Sequence, residues 1–67
     1  MKEIGQKIRE RRKLLKITQR ELAEITEIGI NTLTKIERGE GNPSFKILNK
    51  VLETIGLKLE VVIKSNN

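Results

Sequence analysis

The side chains in this chain that could do chemistry are almost all cationic. Fourteen Lys and Arg stand against nine acidic residues, all Glu, for a formal net charge of +5 and an isoelectric point near 9.9. Asp, His, Cys, Trp and Tyr are absent, and Phe45 is the only aromatic residue. Without His there is no base that titrates near neutral pH, and without Cys there is no thiolate nucleophile. The same absences remove disulfides and zinc fingers. A mechanism resting on Glu alone would need a deep pocket, which 67 residues can hardly form. The composition therefore predicts no enzyme, no metal site and no cofactor. What remains is charge and hydrogen bonding, and charge of this sign points to a polyanionic partner.

The positive charge is localised. Residues 1–20 hold eight basic side chains and two acidic ones, whereas residues 21–67 hold six basic and seven acidic. A second chemical signal sits at the end of the basic stretch, in Ile17-Thr18-Gln19-Arg20-Glu21-Leu22. Thr18 has the hydroxyl of a helix N-cap, and Glu21 can reach back to the Thr18 N–H. Ile17 and Leu22 have the spacing of a hydrophobic staple. Such a helix N-terminus offers free N–H groups and a positive dipole to a phosphate.

These residues need elements to position them. Ile4, Ile8 and Leu15 predict one face of a first helix over about Lys2 to Leu15. The capping signal predicts a second helix from about Gln19 to Ile25, with Leu22, Ala23 and Ile25 turned inward. After a break at Thr26-Glu27, Gly29 takes the N-cap position of a third helix, about Ile30 to Arg38, with Leu33 and Ile36 buried. Arg38-Gly39-Glu40-Gly41-Asn42-Pro43 reads as a loop. Ser44 caps a fourth helix that Gly56 ends, carrying a stripe of Phe45, Leu48, Val51, Leu52 and Ile55. The period then changes to two. Leu57, Leu59, Val61 and Ile63 alternate with Lys58, Glu60, Val62 and Lys64, the pattern of an amphipathic β-strand. The expected division is a domain at 1–56, a strand at 57–64 and a tail at 65–67. A lone strand cannot satisfy its backbone groups, so it calls for a second copy of itself. A homodimer would also supply the staple that so small a core needs.

Two short helices joined by a short break, the second with a polar outer face, suggest a helix-turn-helix. The residue types sharpen this. The sequence resembles the Cro/C1-type (XRE-like) helix-turn-helix repressors, over about residues 4–56. The resemblance is carried by Ile4-Gly5-Gln6-Lys7-Ile8-Arg9, Arg12-Lys13, Thr18-Gln19, Glu21-Leu22-Ala23, Asn31 to Gly39 and Asn42-Pro43-Ser44. It implies an all-α, lambda-repressor-like domain of four or five helices. Two positions depart from the family pattern: Glu27 stands where the turn usually has Gly, and Gly29 replaces the usual Ser or Thr cap. A non-Gly residue at positive φ in that turn would cost about 1 kcal/mol.

The resemblance implies that the third helix enters the major groove of duplex DNA. Gly29, Ile30, Asn31, Thr34 and Lys35 would face the base edges. Asn31 could pair with adenine, Lys35 with guanine, and Ile30 with a thymine methyl. Thr18 and Gln19, with Arg38 and Asn42 on the loop after the third helix, would contact phosphates, and Gln19 would also brace the third helix. Arg12 and Glu37 would form a buried salt bridge tying the first helix to the third. The other basic residues of the first helix are expected to act through the general field alone. The C-terminal strand resembles that of HipB-like antitoxins, in which Leu57, Leu59, Val61 and Ile63 would pair across a dimer axis. Two recognition helices would then read a palindrome.

Dimeric DNA binding as a transcriptional regulator, most simply a repressor, is the expected function. An antitoxin that binds a toxin protein and represses its own operon is the alternative. Membrane-surface binding is disfavoured because the few apolar residues of the first helix are needed for the core. Binding of single strands is disfavoured because stacking platforms need aromatics. No apolar stretch long enough to span a membrane and no signal-peptide pattern occurs, so the chain is expected in the cytoplasm.

Overall fold

A computed structural model describes residues 2–64. Its elements are α1 (Lys2–Leu14), α2 (Gln19–Thr26), α3 (Ile30–Arg38) and α4 (Phe45–Thr54). The expected tail, 65–67, lies outside the described residues. The core is Ile8 of α1, Leu22 and Ala23 of α2, Leu33 and Ile36 of α3, and Leu48, Val51, Leu52 and Ile55 from α4 and its end. Ile4, Ile17, Ile28, Ile47 and Leu57 close its margins.

Gly5 sets how closely α1 approaches α3. A Cβ at this position would press on the carbonyl oxygen of Ile36 and lie 2.7 Å from that of Glu37. Only a glycine lets the two backbones meet here.

Each helix ends in the same hydrogen-bonded motif. A residue with positive φ follows the last turn, and the N–H after it reaches back across six residues: Ile17 to Arg12 O, Ile28 to Ala23 O, Glu40 to Lys35 O, and Leu57 to Leu52 O. Gly39 and Gly56 take the positive φ at the ends of α3 and α4. Lys16 and Glu27 take it at the ends of α1 and α2, with φ of 58° and 60°. The turn thus keeps its left-handed shape at Glu27 without a glycine.

Several expectations are corrected. Ile25 is exposed, and Thr26 is buried in its place. At about 100° per residue, Thr26 falls between Leu22 and Ala23, while Ile25 points well to one side. The Thr26 hydroxyl is satisfied by donating to Leu22 O at 2.7 Å. Phe45, the first residue of α4, is 67% exposed, while Leu48, Val51, Leu52 and Ile55 of the same stripe are buried. Leu15 falls after α1 ends and is also exposed.

No strand occurs among the described residues, and 57–64 carry no regular structure. Leu57 packs against the core, but Leu59 is partly exposed and Val61 and Ile63 are fully exposed. A single chain offers this segment no ladder partner for its backbone N–H and C=O groups. Lys58 Nζ lies 3.2 Å from Glu60 Oε1, two residues on, in an exposed ion pair.

Candidate nucleic-acid interface

The interface is built from the N-terminus of α2 upward. Thr18 caps that helix as the sequence requires. Its Oγ1 accepts from the Glu21 N–H at 3.0 Å, and its own N–H donates to Glu21 Oε1 at 2.9 Å. The hydrogen bonds from the Thr18 N–H and hydroxyl hold the Glu21 carboxyl below its ordinary value.

Gln19, the first residue of α2, faces α3. Its Nε2 donates to Glu37 Oε1 at 3.0 Å, and its Oε1 lies 3.3 Å from Thr34 Oγ1. The Thr34 hydroxyl is also 2.8 Å from Ile30 O, and its single proton serves that shorter bond. Glu37 in turn meets Arg12 of α1: Arg12 Nε donates to Oε2 at 2.7 Å and Nη2 donates to Oε1 at 3.0 Å. Arg12 Nη1 donates to Ile17 O at 2.9 Å. One connected network therefore joins α1, the turn before α2, the start of α2 and the inner side of α3. Both charges of its ion pair are nearly buried, with side-chain exposures of 10% and 3%. Burial without such partners would be strongly unfavourable.

This network and the core hold one side of α3, formed by Leu33, Ile36 and Glu37. The opposite side carries Asn31, Thr34, Lys35 and Arg38 at i, i+3, i+4 and i+7, so they form one stripe. Asn31, Lys35 and Arg38 are exposed and Thr34 is half-buried. Gly29 and Ile30 lie at the N-terminal end of the stripe; Gly29 is exposed, and Ile30 is 40% exposed. Gly29 makes no side-chain cap, as expected of a glycine. Arg38 is the last residue of α3, not part of the loop, and so joins the outward stripe. Asn42 lies on the loop beyond it and is exposed.

The sequence reading assigned Arg9 to the general field of the first helix and to no specific contact. It lines a cleft of about 490 Å³ with Arg12, Gln19, Thr34, Glu37 and Arg38. The signal was its spacing: Arg9 lies three residues before Arg12 and so shares a helical side with it. Among the described residues no group of acidic side chains could hold a metal ion, and no helix is long and apolar enough to cross a membrane.

A family model described as helix-turn-helix matches residues 8–62. A Methanococcus maripaludis protein whose name describes an HTH-type transcriptional regulatory protein is 38% identical over 55 residues, 82% of this chain and 17% of that protein. A similarly named protein from strain C5 of that organism is 40% identical with the same coverage. The immunity repressor protein of Bacillus phage phi105 is 35% identical over 60 residues, 90% of this chain and 42% of the phage protein. The chain thus spans less than half the length of each of these relatives. No solved structure gives a significant match.

Proposed function

The chain belongs to the helix-turn-helix family, and from that premise we propose that it binds duplex DNA sequence-specifically as a dimeric transcription regulator. The observation that carries this reading is the two-sided character of α3. One side is locked to α1 and α2 through Arg12, Glu37 and Gln19. The other presents an amide, a hydroxyl, an ammonium and a guanidinium in one stripe. Such a stripe matches the donor and acceptor pattern of base edges in the major groove. In this reading Gly29, Ile30, Asn31, Thr34 and Lys35 face the bases. Thr18, Gln19, Arg38 and Asn42 face the phosphates. Gln19 does so while bracing α3, since its second amide proton remains for an outside acceptor. The names of the relatives, a phage immunity repressor among them, favour repression over activation.

Dimerisation is assigned to residues 57–64. Its support is the apolar surface left uncovered at Val61, Val62 and Ile63 in a single chain. Next to them, Ile4, Leu52, Leu57 and Leu59 contribute to a shallow groove of about 360 Å³. Pairing with a second copy would satisfy the free backbone groups and cover that surface together. A two-fold dimer would place two copies of α3 on half-sites a helical turn or a multiple of it apart, and so select a palindrome.

The test is selection from a random duplex library at near-physiological salt, with native mass measured on the full chain and on a truncation at residue 56. An enriched palindrome and a dimer that becomes a monomer on truncation support the proposal. Absence of any enriched sequence would overturn sequence-specific recognition. A full chain that is monomeric alone would overturn self-pairing and favour the antitoxin reading, in which a toxin protein covers the exposed segment.

A further inference from the structure

We propose that the cleft between α1 and α3 seats one backbone phosphate of the duplex, gripped by Arg9 and Arg38. This rests on the DNA-binding reading and extends it to α1, whose basic residues the sequence assigned only to the general field.

The cleft contains three guanidinium groups, from Arg9, Arg12 and Arg38, and one carboxylate, from Glu37. That carboxylate is already committed. Its Oε2 accepts from Arg12 Nε, and its Oε1 accepts from Arg12 Nη2 and Gln19 Nε2. Arg12 and Glu37 therefore form a neutral floor. The ion pairs among the described residues are Arg12–Glu37 and Lys58–Glu60, so Arg9 and Arg38 have no carboxylate partner among those residues. Two uncommitted guanidiniums share one concave site with a net excess of two positive charges. Like charges placed together repel, and an oxyanion between them removes that repulsion. The planar fork of Arg matches phosphate oxygens, which favours a phosphodiester over a simple counter-ion.

The location fits the same ligand. Thr34 belongs both to the cleft wall and to the outward stripe of α3, and Gln19 of α2 lies beside it in that wall. A duplex lying on that stripe would carry its backbone over the cleft. Arg9 and Arg38 also bound an adjoining cleft whose lining includes Lys2 and Lys13 and the carboxylates of Glu10 and Glu37, so cations outnumber carboxylates there by four to two.

The experiment measures duplex affinity across about 50 to 200 mM salt for the full chain and for Arg9→Gln, Arg9→Lys and Lys50→Gln, using a selected sequence and a scrambled one. Lys50 is the matched control. It loses the same charge from an exposed position of α4 that lines neither the two clefts of α1 nor the groove assigned to dimerisation. Arg9→Gln is expected to lower the slope of log K against log salt by about 0.9. The wild-type advantage then shrinks about threefold over that salt range, equally on both sequences. Arg9→Lys should keep the slope, and Lys50→Gln should change it less than Arg9→Gln does. Equal slopes for Arg9→Gln and Lys50→Gln, with wild-type binding intact, would overturn the phosphate seat and leave the DNA-binding reading standing. A wild-type chain that binds neither duplex would overturn both. Thermal melts of the variants exclude unfolding as the cause of any loss.

Discussion

Arg12 and Glu37 meet through two hydrogen bonds, at 2.7 and 3.0 Å, across the seam where α1 crosses α3. The pair is nearly buried, and Gln19 adds a third donor to the same carboxylate. A charge in this position is stable only while its partner is present. Glu37→Ala should therefore cost about 3–5 kcal/mol, since it strands the Arg12 guanidinium. The double variant Arg12→Met with Glu37→Leu should be less destabilised than Glu37→Ala. Urea denaturation of both variants checks this; a loss below about 1 kcal/mol in Glu37→Ala would place the pair among ordinary surface bridges.

Gly5 provides the second test of the α1–α3 seam. Ala is a better helix former by about 1 kcal/mol, so an unpacked helix would gain from Gly5→Ala. Here the new Cβ would press on two carbonyl oxygens of α3. The substitution should instead destabilise the fold by roughly 1–3 kcal/mol. A rise in thermal midpoint would show that the helices do not meet so closely.

Glu27 holds φ at 60° in the turn before α3. Glu27→Gly should relieve about 1 kcal/mol of left-handed strain. For a domain of this size that corresponds to a rise of roughly 4–8 °C in melting temperature. Calorimetry on the two proteins is the measurement, and a lower midpoint for the glycine variant would contradict it.

The capping box makes stability depend on pH in a defined direction. The Glu21 carboxyl, through its bonds to Thr18, titrates below its ordinary 4.5 in the folded chain. A depressed folded value means that the ionised group stabilises the fold above the unfolded value, and that this is lost as pH falls through the folded one. Wild type should be more stable than Glu21→Ala at neutral pH. The gap should narrow as pH drops below about 4.5. A gap that stays constant down to strongly acidic pH would show that the carboxylate charge plays no part in the cap.

Asn31 is exposed at the N-terminal start of the outward stripe, one turn before Thr34 and Lys35. Asn31→Ala should cost about 1–3 kcal/mol on the selected duplex and relax base preference at one position. Binding assays on single-base variants of the site measure both effects. A uniform loss across all sequences would make Asn31 a backbone contact.

Local chemistry made much of this molecule legible. Thr18 and Glu21 are three residues apart, and that spacing alone dictates the capping box that forms. Gly29 and Ser44 mark the starts of α3 and α4 for equally local reasons. The errors fell where a neighbour decides burial. Ile25 and Phe45 are apolar and helical, but whether either is covered depends on which helix lies opposite. Hydropathy could not select Thr26 over Ile25, because the Thr26 hydroxyl is satisfied within its own helix and so can be buried without penalty.

The sequence by itself determined the helices, their caps, the concentration of charge in the first 20 residues and the absence of His, Cys and Asp. Each of these is set by residue type or by spacing within a turn or two. Only the tertiary structure decided that the Gln19 brace on α3 runs through Glu37 and that Arg11 Nε donates to Ile55 O at 2.8 Å across 44 residues. It likewise decided that Arg9 and Arg38 open on one cleft. Those relationships join helices distant in the chain, and they exist only because burying Ile8, Leu22, Leu33 and Val51 in one core fixes where the polar side chains around it must meet.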